Sequence, residues 1–212
     1  MKMKVERTEI LSPSIWGVIT ANSYYTQAES DTLVVLFPGI GYHCDKPLLY
    51  FSQQVAMKNH CDLLVTEYGF QKTKAGFEPS QIDDLVKEVL FSIKQVLERK
   101  SYRDIVFVSK SLGTYVAKRI SSHIKARNFV LTPIQVTMPL LSEQDYVAIG
   151  TADHLATEEL LQVLRARDSA KTMIIENVGH SLEADTIKET LNIIEIISEK
   201  LTDFIHKDGT TK

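Results

Sequence analysis

Ser111 lies in the run Ser109-Lys110-Ser111-Leu112-Gly113, directly after a β-type stretch at 104–108 and ahead of a helical pattern. A serine at the tip of so sharp a strand-turn-helix must take a strained backbone, and the residues two before and two after it approach closely, so both must be small. Of the sixteen serines, only Ser111 has Gly, Ala or Ser at both positions. Such a turn lifts the hydroxyl clear of a sheet, sets it over a helix N-terminus and aims the Leu112 N–H at whatever is bound. The pentapeptide alone leaves two readings open, an attacking nucleophile or a serine that caps its helix.

A hydroxyl attacks well only if a base takes its proton, and the base needs a carboxylate to fix its tautomer. Two strand-like runs downstream end in such groups: 146–149 leads into Gly150-Thr151-Ala152-Asp153, and 173–176 into Asn177-Val178-Gly179-His180. Glu176 competes with Asp153 for the acid but belongs to the end of its own strand, only four residues from His180. His154 and His43 are alternative bases or loop lining; His60, His123 and His206 read as structural or solvated. Glu67 and Tyr68 follow another strand and either line a pocket or are ordinary strand-end polarity. Lys72 and Lys74 either attract an acidic substrate or belong to a solvated loop.

These residues need elements that place them together. Strands are expected at 33–37, 62–66, 105–109, 129–132, 146–149 and 172–176, alternating with helical patterns, the signature of β-α-β units around a parallel sheet covered on both faces. A helix over 80–99 carries a buried stripe including Ile82, Leu85, Val86, Val89 and Ile93. A second over 181–204, capped by Ser181, buries Ile187, Leu191, Ile194, Ile197 and Leu201. A third opens at Leu112 and buries Val116, Ile120 and Ile124. Ahead of them, 6–11 and 15–20 flank Ser12-Pro13-Ser14 as a meander of antiparallel edge strands. Ligands in such sheets bind beyond the carboxyl ends of the strands, where Gly39, Gly41, Gly113, Gly150 and Gly179 also fall.

In this order, a Ser in an elbow, an acid after a G-x-x-D turn and a His in a short loop before the final helix, the sequence resembles the α/β-hydrolase superfamily, specifically its small lidless members akin to dienelactone hydrolases and esterases. The resemblance runs from the strand before Pro38-Gly39 to the last helix. It implies a three-layer α/β/α sandwich with a mostly parallel sheet of about seven strands, an α/β-hydrolase fold without a cap domain. It further implies Ser111 as nucleophile, His180 as general base and later acid, Asp153 as the orienting carboxylate, and an acyl-enzyme route for an ester, thioester or related acyl bond. The oxyanion hole would use the N–H groups of Leu112 and, from the loop Phe37-Pro38-Gly39-Ile40-Gly41, of Ile40, with Gly41 as the alternative. Two departures stand out: Pro38 replaces the usual histidine, removing a side chain that can brace the loop, and Ser109 replaces the first glycine of G-x-S-x-G. Pro38 also keeps open a catalytically silent fold used for binding, and the same machinery serves acyltransferases and peptidases.

Composition bounds the rest. The 212 residues suit one domain spanning 1–212 with a disordered tail at 207–212. A 44% hydrophobic and 24% charged composition is that of a packed globule. A net charge of -3 gives no basic excess for nucleic acid or an anionic membrane. Residues 1–4 are basic, but Glu6, Arg7 and Glu9 stand where a signal peptide needs an apolar run, and no stretch approaches the ~20 residues that span a bilayer. Cys44 and Cys61 lack C-x-x-C spacing and read as reduced, in a cytoplasm, with no metal site. No phosphate-cradling motif follows a strand, so no cofactor is expected and the partner is a small acyl substrate. Tyr42 and Met138, with Phe70, Pro133 and Leu155, are candidate apolar walls. Only 133–144 separate two strands where many hydrolases insert a lid, so the site should be open to solvent.

Overall fold

The computed structural model describes residues 5–206; the basic residues 1–4 and the expected tail at 207–212 lie outside them. One sheet holds eight strands: β1 (Val5–Pro13), β2 (Ile19–Gln27), β3 (Thr32–Phe37), β4 (Asp62–Val65), β5 (Asp104–Lys110), β6 (Arg127–Leu131), β7 (Tyr146–Gly150) and β8 (Thr172–Ile175). Their order is β1-β2-β4-β3-β5-β6-β7-β8. β1 runs antiparallel to β2 and β2 antiparallel to β4, and every other pairing is parallel. β3 and β7 are apolar and buried almost throughout because both of their faces are covered, whereas β1 leaves most of its length exposed.

Among the described residues six helices cover the sheet: α1 (Pro47–Lys58), α2 (Gly69–Thr73), α3 (Ile82–Arg99), α4 (Leu112–Ile120), α5 (Glu158–Arg165) and α6 (Ile187–His206). The strand pleat sorts them. Leu36, Val108 and Phe129, which are register partners, face α1 and α6, where Leu49, Ile197 and Leu201 close one core. Val35 and Phe107 point the other way, against Leu85, Val89, Ile93 and Val116 of α3 and α4. α5 extends that second layer over Val130, Val147 and Ile149. Each fully buried Leu, Ile or Phe side chain contributes about 1.5–3 kcal/mol by leaving water, so the two cores hold the layers together. The three-layer sandwich is the expected architecture, with eight strands rather than about seven.

Three boundaries differ from expectation. The second strand begins at Ile19, not residue 15, because 14–18 form a turn in which the Ser14 N–H reaches the Val18 carbonyl (3.0 Å) and Gly17 takes φ +73°. The last helix begins at Ile187, not Ser181. Leu182, fully buried at φ 57°, first turns the chain, and the cap is Thr186, whose Oγ1 accepts the Glu189 N–H at 3.2 Å. α4 stops at Ile120, because the Ser121 and Ser122 hydroxyls donate back to the carbonyls of Ala117 (3.0 Å) and Arg119 (2.7 Å), leaving Ile124 beyond the helix though against the same core.

Between β6 and β7 lies a short 3₁₀ turn, Gln135–Leu140. Among the described residues no helix is long and apolar enough to cross a membrane.

Candidate active site

β5 ends at Lys110 and α4 starts at Leu112, so Ser111 alone makes the turn, at φ 54° and ψ -121°. Its side chain makes no helix-capping hydrogen bond. The elbow is held by its own backbone, with the Ser111 N–H on the Leu131 carbonyl (3.1 Å) and the Thr114 N–H and hydroxyl on the Ser111 carbonyl (2.9 and 2.6 Å). Gly113 must be glycine: a Cβ there would stand 2.4 Å from the Phe37 carbonyl oxygen and 2.5 Å from that of Pro38. Ser109, two residues before the tip, is fully buried, and its hydroxyl has no hydrogen-bond partner among the described residues.

The Ser111 hydroxyl points at His180, with Oγ 2.8 Å from Nε2. On the other side of the ring, Nδ1 is 2.7 Å from Asp153 Oδ2. The structure thus lines up Ser111, His180 and Asp153 in one hydrogen-bonded row drawn from the ends of β5, β8 and β7. The Asp153 carboxylate is wholly buried, and its other oxygen accepts the Leu155 N–H at 2.8 Å. Burial pushes its pKa up, but hydrogen bonds from His180 and Leu155, and the positive charges of His180 and Lys110, outweigh that and leave it below the ordinary carboxylate value.

Opposite the elbow, Gly39 approaches so closely that a Cβ would lie 3.0 Å from Ser111 Cβ. The Gly39 N–H bonds to the Tyr42 carbonyl (2.9 Å), closing a tight turn over 39–42. Within the described residues the N–H groups of Ile40, Gly41 and Leu112 have no protein acceptor, so donors remain on both sides of the hydroxyl. The turn is braced from α2: Gln71 Nε2 donates to the carbonyls of Gly39 (2.7 Å) and Ile40 (3.2 Å). Gln71 is thirty-odd residues from the loop, and nothing in the sequence links the two.

The other candidates fall into place around this row. Glu176 is exposed and accepts the Thr151 hydroxyl (3.2 Å), while the ring of His180 bonds to Asp153. His154 sits beside the row, its ring centroid 5.8 Å from that of His180. His43 and Glu67 line a cavity of about 310 Å³ beside the turn over 39–42, with Cys44, Asp45, Thr66 and Gln71. Tyr68 and Phe70 are buried in the core, Lys72 donates to the Ile19 carbonyl (3.0 Å), and Lys74 closes α2 in the left-handed conformation. Met138 packs half-buried against the α5 core, and Leu155 is exposed. Tyr42 is partly buried: its hydroxyl accepts the Leu48 N–H (3.0 Å) and its ring faces Lys110. Both cysteines are buried, with thiol pKa values raised by desolvation, that of Cys61 to about 12. A cavity of about 440 Å³ lies at the opposite, amino end of the strands, beside Thr32, Asp104 and Arg127, remote from the row.

Sequence reasoning missed Lys110. It is fully buried at the end of a central strand, next to Ser111, with Nζ donating to the Thr132 hydroxyl (2.5 Å) and the His180 carbonyl (2.7 Å). The available signal was a charged residue between a run expected to be buried on both faces and the serine of the elbow.

No family model and no curated protein matches this sequence. Solved structures do. An esterase from Pyrococcus furiosus superposes with a TM-score of 0.68 at 13% identity, covering 95% of this chain and 92% of that one. A dienelactone hydrolase from Anabaena variabilis gives 0.67 at 12% identity, covering 97% and 99%. An α/β serine hydrolase without a lid from Xanthomonas campestris gives 0.63 at 13%, covering 92% and 94%. The chain has the α/β-hydrolase fold in its lidless form.

Proposed function

We propose that this protein is a serine hydrolase that cleaves an ester, thioester or related acyl bond through Ser111, His180 and Asp153. The reading is carried by one observation, the continuous row from Ser111 Oγ through both ring nitrogens of His180 to a buried carboxylate. Ser111 Oγ attacks the acyl carbonyl while His180 Nε2 takes its proton, and Asp153 stabilises the resulting imidazolium. The oxyanion forms between the Leu112 N–H, at the start of α4, and an N–H of the 39–41 turn, Ile40 first. His180 then gives its proton to the leaving group. A water deprotonated by the same ring attacks the acyl-enzyme, and the proton passes back to Ser111 as the acid departs.

The short connection between β6 and β7 supports an open site that takes varied acyl groups. The test is a panel of p-nitrophenyl esters of rising chain length, with fluorophosphonate labelling and peptide mapping, run on the wild type and Ser111→Ala. Label on Ser111 and turnover lost in the variant are expected; a folded wild type that neither labels nor turns over any ester sinks the reading.

A further inference from the structure

Lys110 is fully buried, and no step of acyl transfer uses it. Its long side chain leaves the last residue of β5 and ends where three other segments meet. Nζ donates to the His180 carbonyl in the loop after β8 (2.7 Å) and to Thr132 Oγ1 just after β6 (2.5 Å), and it lies 4.9 Å from the ring centroid of Tyr42 in the loop after β3. The partners are themselves constrained. Thr132 is β-branched yet holds φ 46°, a conformation kept only where the surroundings over-determine it. Tyr42 is pinned through its hydroxyl by the Leu48 N–H (3.0 Å). The charges that act on Lys110 are those of Asp153 and Glu183, and burial pushes its pKa down to about 7. Burying an amine is expensive, and a hydrocarbon of the same length would fill the space without that penalty. What the hydrocarbon could not do is hold the carbonyl of the residue that carries the base.

We propose that Lys110 is a positioning residue: by gripping the His180 backbone carbonyl it fixes the imidazole between Ser111 Oγ and Asp153, and so joins the nucleophile's own strand end to the loop of its base. The proposal rests on the hydrolase reading for its kinetic consequences but not for its geometric one. A misplacement of about 1 Å costs on the order of 10²-fold in rate. Lys110→Met, which keeps the length and removes the donors, therefore lowers kcat by about that factor and leaves KM nearly unchanged.

The experiment measures kcat and KM on a p-nitrophenyl ester, the rate of fluorophosphonate labelling, and the NMR signal of the His180 Nδ1 proton, in wild type, Lys110→Met and Thr132→Ala. The wild type should show a strongly deshielded, slowly exchanging Nδ1 proton that broadens or shifts upfield in Lys110→Met, with a smaller change in Thr132→Ala. A folded Lys110→Met with wild-type kcat and an unmoved proton overturns the proposal. Should that variant not fold, Thr132→Ala decides: a several-fold lower kcat at constant KM supports the proposal, and unchanged values overturn it. A wild type that neither labels nor turns over substrate ends the hydrolase reading, and the His180 proton alone then decides the role of Lys110.

Discussion

Gly150 and Val178 touch backbone to backbone: a Cβ on Gly150 would lie 1.9 Å from the Val178 carbonyl oxygen. That oxygen also accepts the Ala152 N–H at 3.0 Å, so the turn that carries Asp153 and the loop that carries His180 are zipped together one residue ahead of Asp153 and two ahead of His180. The distance from Asp153 to His180 is thereby set by the main chain rather than by the side chains alone.

Gly150→Ala is predicted to force the two loops apart. Overpacking against backbone costs about 1–3 kcal/mol. The displaced base should lower kcat/KM on a p-nitrophenyl ester by roughly 10²-fold, on the scale of a misplacement near 1 Å. Paired thermal melts and initial rates check both; a Gly150→Ala protein with unchanged rates would show that the loops adjust independently of the row.

At the elbow, activity and stability should pull in opposite directions. Ser111→Ala and Ser111→Gly both remove the hydroxyl and should reduce kcat by about 10³-fold or more. The backbone at φ 54° suits glycine far better than alanine. Ser111→Gly is therefore expected to melt above Ser111→Ala by a few degrees, corresponding to about 1 kcal/mol, and calorimetry on the two variants decides it.

A buried amine makes stability depend on pH. The Lys110 pKa is pushed down to about 7 by burial, only partly offset by Asp153 and Glu183, from an ordinary value of 10.5. Between those values the unfolded chain binds the extra proton and the folded chain does not, so the free energy of unfolding gains from this group as pH rises from about 7 toward 10.5, and below 7 the penalty is complete. Urea unfolding of wild type against Lys110→Met should show the difference narrowing in favour of the wild type across that window. A difference independent of pH would mean that the lysine is not titrating in the folded protein.

Far from the site, Asp62 anchors the amino end of β4. Its buried carboxylate accepts the Gln27 N–H (2.8 Å), the Lys100 ammonium (2.8 Å) and the Tyr102 hydroxyl (2.6 Å). Asp62→Ala leaves buried donors unpaired and should cost about 3 kcal/mol, a drop of roughly 6–12 °C in Tm. Turnover per folded molecule at 25 °C should stay at the wild-type level, which an active-site titration would measure.

Much of this was legible in the residues. The strands showed as short β-branched runs because parallel strands are buried on both sides, and α3 showed because one face alone is apolar. Pairing Ser111 with the groups after two later strands followed from what a hydroxyl needs in order to attack, and the structure brings those three residues together. α1 went unremarked because Leu48 and Leu49 are followed by Tyr50 and Phe51, which are exposed, and its N-terminus lacks a side-chain cap. The expected start of β2 falls on Ile15, an apolar residue that serves a turn, and that of α6 on Ser181, a cap-type residue that precedes the turn at Leu182 rather than the helix. Lys110 and Gln71 leave no pattern along the chain because their partners, a carbonyl and a hydroxyl for Lys110 and two carbonyls for Gln71, are set by tertiary approach.

β8 is an edge strand, joined to the sheet by a single neighbour over only four register pairs, and His180 hangs from its end. Ser111, by contrast, follows a strand flanked on both sides. His180 is therefore predicted to ride on a unit that detaches at a free-energy cost well below that of global unfolding. Mild denaturant should silence such a molecule reversibly while its central sheet is still intact, with amide exchange at 172–180 running ahead of exchange at 106–110.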